Sequence, residues 1–177
     1  MSLSENLTLL ADYNAAMNQR MYEAAAQLPE EELLADRRAF FGSILGTLNH
    51  LVVGDTLWLQ RFASHPAHFA ALAPIRAMPA PTALTQMQFY ELGHWHPHRM
   101  ELDAIINAWV REVREEHLGH VLEYTNTKGV LARKRMSSLV LHFFNHQTHH
   151  RGQVTTMLSQ AGIAFGVTDL LAGIPDE

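Results

Sequence analysis

A chain of 177 residues, 47% hydrophobic and 18% charged, is long enough to bury a real core and lies far from the composition of disordered chains. Its formal charge of −5 argues against a nucleic-acid partner, which requires a basic face. There is no cysteine, which excludes disulfides, thiolate nucleophiles and zinc–thiolate sites and leaves imidazole, carboxylate and water as metal ligands.

The N-terminal stretch MSLSENLTLLADYN has no basic segment followed by an apolar one, so a signal peptide is not expected. No apolar run reaches the roughly 18 residues that span a bilayer. The expectation is a cytoplasmic protein with no membrane contact, forming one domain over residues 1–177.

A first helix is predicted from about Leu3 to Leu28, stopped by Pro29. A second runs from about Arg37 to Phe62 with Asp36 as its N-cap. Phe41, Ile44, Leu45, Leu48, Leu51, Val52 and Leu59 are too many for one stripe, so this helix should pack on several sides. Residues 64–83 carry four of the seven prolines and read as a long surface connection.

The third helix falls within 84–117, where Leu102, Ile105, Ile106, Trp109 and Val113 recur at helical spacing. Pro97 either kinks it or sits in its first turn. A short hairpin is predicted around Asn126 to Gly129, and the basic run Arg133-Lys134-Arg135 reads as a solvated turn. Ser137 or Ser138 then caps a fourth helix ending near Gly162. The tail IAFGVTDLLAGIPDE is apolar enough to pack back on the rest. The predicted fold is all-α, a four-helix bundle.

The fourth helix holds FFNHQTHHRGQ, with His142 immediately before it. Leu139, Phe143, Val154, Met157 and Leu158 define its apolar face. With His146 at zero and about 100° per residue, His150 falls at about +40°, Leu139 and Met157 at about +20°. His142 at about −40° and His149 at about −60° lie toward the margin. His146 and His150 are one turn apart and can converge on one ion, the usual way a helix supplies two of three ligands. The alternative is a polar seam in which each ring bonds to neighbours, although burying adjacent imidazoles without a shared partner is costly.

The metalloprotease pattern fails because Gln147 stands where Glu is needed. A ferritin-like di-iron site fails because only Glu91-Leu-Gly-His94 offers the Glu-x-x-His spacing. A third ligand should come from a facing helix, and His50 in LGTLNHLVVGDTLW is the strongest candidate. Gly46 and Gly54 lie one turn either side of it. They either leave room for an ion, water and substrate or allow close helix packing. Asp55, about 140° round from His50, is not expected to be a ligand. HWHPH, His94 to His98, is a weaker rival site with no i, i+4 pair. His65, His68, His117 and His120 sit in loop-like or polar surroundings.

With these features in place, the chain resembles the DinB family of metal-binding four-helix bundles over nearly its whole length. ADYNAAMNQRMYEAA, FGSILGTLNHLVVGDTLWLQRF, NHQTHHRGQVTTMLSQAG and GVTDLLAGIP are similar to the family's first, second and last helices and its usual ending. The family is unrelated in function to the lesion-bypass DNA polymerase of the same name. The resemblance implies His50, His146 and His150 as ligands of a divalent transition metal, zinc or nickel, and a non-ligand role for His149. It also implies a frequent homodimer, and thiol-dependent transfer or isomerisation with bacillithiol, mycothiol or glutathione.

The expected function is therefore a metal-dependent transferase acting on a small-molecule substrate with a low-molecular-weight thiol, since the chain has no thiol of its own. The alternatives are a hydrolase using a metal-bound hydroxide, or a non-catalytic metal or small-molecule binding protein. Tyr13, Asn14 and Arg151 are the polar residues expected to approach the site.

Overall fold

The structure, a computed structural model, describes residues 3–176; positions 1, 2 and 177 of the expected domain lie outside it. Four long helices carry the apolar residues: α1 (Leu3–Ala25), α3 (Ile44–Phe62), α5 (Leu92–Glu112) and α7 (Met136–Gln160). Three short ones, α2 (Glu30–Leu34), α4 (Ala73–Ala77) and α6 (Glu115–Leu118), lie in the connections. Both α1 and α3 pack on α5 and on α7. They therefore stand diagonally in an all-α four-helix bundle, as the sequence predicts.

The burial patterns follow from the sequence periods. In α1, Leu7, Ala11, Asn14, Met17, Met21 and Ala24 are buried at spacings of three and four, a single stripe. In α3, every residue from Ile44 to Thr56 is buried, because α5, α7, α2 and α4 all lean on it. Phe62 stacks on Trp109 with centroids 4.7 Å apart and meets the edge of Phe143 at 5.8 Å, joining α3, α5 and α7. Such pairs add about 0.5–1.5 kcal/mol beyond their burial.

The predicted hairpin is present: β1 (Val121–Thr125) pairs antiparallel with β2 (Leu131–Arg135), Val121 opposite Arg135. The basic run thus belongs to a strand rather than a turn. Its loop is held by Asn126, whose Oδ1 accepts the backbone N–H groups of Lys128 and Val130.

Several boundaries depart from expectation. α1 ends at Ala25 because Gln27 and Leu28 donate to carbonyls only three residues back, and Leu28 is disfavoured in a helix by the proline that follows. α3 begins at Ile44, with Ser43 rather than Asp36 as its cap: Ser43 Oγ accepts from the Gly46 N–H at 3.0 Å. Asp36 instead accepts from the Arg38 N–H within a turn. Arg38 and Gly42 both take positive φ there, 53° and 75°, which ends any helix begun at Arg37. α7 starts at Met136, so Ser137 and Ser138 lie inside its first turn and cap nothing; the Met136 N–H is satisfied by the His120 carbonyl. Pro97 is the sixth residue of α5, in its interior, and the residue four before it is Gly93.

The long connection is less superficial than its prolines suggest. Phe69, Leu72 and Ile75 are buried in the core, and Asn49 of α3 holds the segment before α5. Its Oδ1 accepts from the Gln88 and Phe89 N–H groups and its Nδ2 donates to the Phe89 carbonyl. The C-terminal tail does return to α1, chiefly through polar pins. Arg20 donates to the Phe165 and Val167 carbonyls, and the Tyr13 hydroxyl to that of Thr168.

A charged layer crosses the bundle that the sequence reading did not anticipate. Arg99 is buried and donates to Asp55 at 2.6 Å, with Asp103 at 3.0 Å on its other side. Asn14 and Asn18 donate to Asp103, and Gln147 to Asp55. Arg99 and Asp103 stand i, i+4 inside an otherwise apolar stripe, as do Asn14 and Asn18, and that spacing was the available signal.

Candidate metal centre

Three imidazoles meet where α3 faces α7. One ring nitrogen from each of His50, His146 and His150 lies within 4.8 Å of the others. The Nε2 atoms of His50 and His146 are 3.1 Å apart, and the His150 ring centroid is 4.4 Å from both other rings. Two nitrogens at about 2.05 Å from a tetrahedral zinc stand about 3.3 Å from each other. The residues fit such an ion.

The fit is also electronic. The His50 Nδ1–H donates to the Leu84 carbonyl at 2.9 Å, since a carbonyl can only accept. The His150 Nδ1–H donates to Gln153 Oε1 at 2.8 Å. Both bonds fix the tautomer and turn the Nε2 lone pair toward the shared point, the arrangement that orients metal-binding histidines. Phe41 stacks on the His50 ring at 3.7 Å and meets His150 edge-on, closing one side of the group.

Burial keeps the rings neutral. It lowers the pKa of His50 to about 4, against the opposing pull of the Leu84 carbonyl, and that of His146 to about 3, with the neighbouring histidines adding to the effect. His150 is lowered too, again chiefly by burial. Neutral imidazole is the form that binds a metal. For a base whose folded pKa lies below its unfolded value, the unfolded chain takes up the proton first. Stability is therefore unaffected above about pH 6.5 and lost progressively as pH falls toward the folded values. The metal-free protein should unfold more readily in urea at pH 5 than at pH 7.5. Each ring contributes at most about 1.4 kcal/mol per pH unit, less where water screens it. A His146→Gln variant should show a shallower dependence.

Gly54 is what lets His146 into this position. A Cβ at Gly54 would lie 2.8 Å from His146 Cε1, and one at Gly46 would lie 2.2 Å from the Phe41 carbonyl oxygen. Gly54 therefore admits the His146 ring and also lines a cavity beside it, while Gly46 admits the turn that caps α3. In Gly54→Ala the displaced ring should weaken zinc binding by about tenfold or more, the range seen when the support of a metal-binding ring is lost. Overpacking of about 1–3 kcal/mol would be partly offset by about 1 kcal/mol of helix propensity. Titration against a chelating indicator, alongside urea melts, checks both.

Residues 1–175 match the DinB family. The chain belongs to that family. Protein DinB of Bacillus subtilis (strain 168) is 27% identical to it over 164 residues, which cover 90% of this chain and 88% of the relative. No solved structure matches the chain significantly.

Among the described residues of this DinB-family protein, no other group of three or more potential ligands comes together. His142 and His149 are exposed at the margin, as the helix angles predict. In HWHPH, His96 stacks on Tyr22 and its Nε2 lies 2.8 Å from Gln19 Oε1, while His94 and His98 pair with Glu91 and Glu101. His65 lies in a loop, as read, but is buried there: it accepts from the Ala67 N–H and faces the His117 carbonyl, so backbone occupies both its nitrogens. Asp55 is engaged by Arg99 and Gln147. Tyr13, Asn14 and Arg151 form a cluster of their own between α1 and α7, Arg151 donating to Asn14 and lying over the Tyr13 ring.

Sequence reasoning missed Gln153, Leu84 and Phe41. Gln153 lies three residues beyond His150 and was visible in principle as a helix neighbour. Leu84 and Phe41 come from connections and carried no local signal.

Proposed function

We propose that this DinB-family protein holds a divalent transition metal, zinc or nickel, on His50, His146 and His150, and uses it to transfer a group to a low-molecular-weight thiol. The observation that carries this reading is three imidazoles with ring nitrogens within 4.8 Å of one another, two of them with the tautomer fixed, in a chain with no cysteine. When bound, such an ion supplies Lewis acidity that makes a thiol more acidic at its open coordination position. The protein's part is to orient the His50 ring through Leu84 and the His150 ring through Gln153, to seat His146 against Gly54, and to exclude water on the Phe41 side. In the reaction the thiol loses its proton and its sulfur forms a bond to an electrophilic carbon. The bond from that carbon to the leaving group breaks, and the leaving group departs with the electron pair.

The test is to mix metal-loaded protein with candidate thiols and a chromogenic electrophile, beside a His150→Ala control. Equal rates for the two proteins would sink the reading, and turnover without thiol would favour hydrolysis. We place the protein in the cytoplasm as a homodimer. Among the described residues no helix is long and apolar enough to cross a membrane, and Met100 and Leu141 leave apolar surface on two bundle helices. Sedimentation at the mass of one chain would remove the dimer.

A further inference from the structure

A cavity of about 260 Å³ opens directly beside the three-histidine group. His50 and His146 form one end of it, and Arg61, Trp58 and Tyr124 form walls. Asn126, at the tip of the β1–β2 hairpin, also lines it. No aspartate or glutamate lines the cavity, although the chain as a whole carries a formal charge of −5.

Arg61 stands apart from the other arginines. Among the described residues, every other arginine that is not exposed has an acceptor: Arg20 tail carbonyls, Arg37 Glu32, Arg99 two aspartates, Arg151 Asn14. The Arg61 guanidinium is half-buried and makes neither a hydrogen bond nor an ion pair among the described residues. It lies over the Trp58 ring at 4.5 Å and the Tyr124 ring at 4.8 Å. Those two rings meet edge-on at 5.5 Å. These contacts hold the guanidinium against the aromatic pair, and its N–H groups stay unused among the described residues. Burial lowers the Arg61 pKa and the Tyr124 phenol opposes that. The other titratable group facing it, His142, is itself lowered by burial and by the Arg61 charge, so nothing in the protein neutralises the guanidinium.

Among the described residues the guanidinium nitrogens have no partner and none of them is sealed from solvent, so they are free to meet an anion that enters the cavity. A planar fork held against two aromatic rings suits a carboxylate, which it can engage through two parallel bonds. The Asn126 amide adds a further donor, since only its oxygen is used by the hairpin loop. We infer that this cavity is the substrate pocket of the proposed metal site and that Arg61 binds a carboxylate of the small molecule that enters it. This deepens the transferase reading and rests on it for the role of the metal. The ligand class it names is a small organic acid whose apolar or aromatic body lies against Trp58 and Tyr124. A cavity somewhat below the usual range of about 300–1,000 Å³ fits a molecule of metabolite size.

The test compares phenylacetate with phenylacetamide, which share a shape and differ in charge. Calorimetric titrations would use the full chain, metal-free and zinc-loaded, as wild type, Arg61→Gln and Arg61→Lys. The expected result is that metal-free wild type binds the acid about ten- to a hundredfold more tightly than the amide, the worth of one charged hydrogen-bond pair. Arg61→Gln should lose that preference and Arg61→Lys keep part of it, with zinc content unchanged in both. Equal binding of acid and amide by metal-free wild type, no binding of either, or a preference that survives in Arg61→Gln would each overturn the inference. Failure of the protein to bind zinc would count against the transferase reading alone, because the metal-free titrations stand independently of it.

Discussion

Substituting alanine for His50 is expected to weaken zinc binding by more than about a hundredfold. The ring supplies one of only three converging nitrogens, and its Nε2 stands 3.1 Å from that of His146. Loss of a group that merely orients a ligand ordinarily costs about 10–100-fold, and loss of a ligand should cost more. Gln153→Ala provides the comparison, because it removes only the acceptor for the His150 Nδ1–H. It should fall within that lower range. Linkage provides the second readout. Free zinc at about a thousandfold over its dissociation constant stabilises a protein by about 4 kcal/mol, so wild type should melt higher with zinc, while His50→Ala at the same zinc, bound more than a hundredfold more weakly, should gain about 1.4 kcal/mol or less. Equal zinc stabilisation of the two proteins would mean the ion sits elsewhere.

What could be read from the sequence was what a helix repeats locally. His146 and His150 share a face because four residues make one turn, and His50 stood out as a polar ring in an apolar segment. Contacts between residues far apart in the chain were not readable. The His50 tautomer depends on Leu84, and the path of the segment before α5 depends on Asn49 gripping Gln88 and Phe89, at separations of 34 to 40 residues. The start of α3 was misplaced at Asp36 for a different reason. Asp36 and Ser43 are both competent caps, and the choice falls to Ser43 because Arg38 and Gly42 take positive φ between them. The glycines flanking His50 were open to two readings, and Gly54 meets both, since the His146 ring packs on it and it lines the adjacent cavity.

The charged layer leads to the largest expected effect on stability. Asp55 is buried and accepts from both Arg99, at 2.6 Å, and Gln147, at 2.9 Å. Asp55→Ala leaves the buried Arg99 with Asp103 as its remaining carboxylate and leaves the Gln147 amide without an acceptor. Removing one partner of a buried pair costs about 3–5 kcal/mol. At about 2–4 °C per kcal/mol for a chain of this size, the melting temperature should fall by about 6–20 °C. Asp55→Asn keeps an oxygen for both donors and removes only the charge, so its loss should be smaller. The two variants also separate stability from the metal centre. Gln147 adjoins His146 in sequence, yet its side chain turns to Asp55 and away from the three imidazoles. Zinc stoichiometry should therefore survive in Asp55→Asn at temperatures well below its melting point. If zinc is lost while the fold persists, then the charged layer sets the position of α7 at the metal site, and the two networks form one unit.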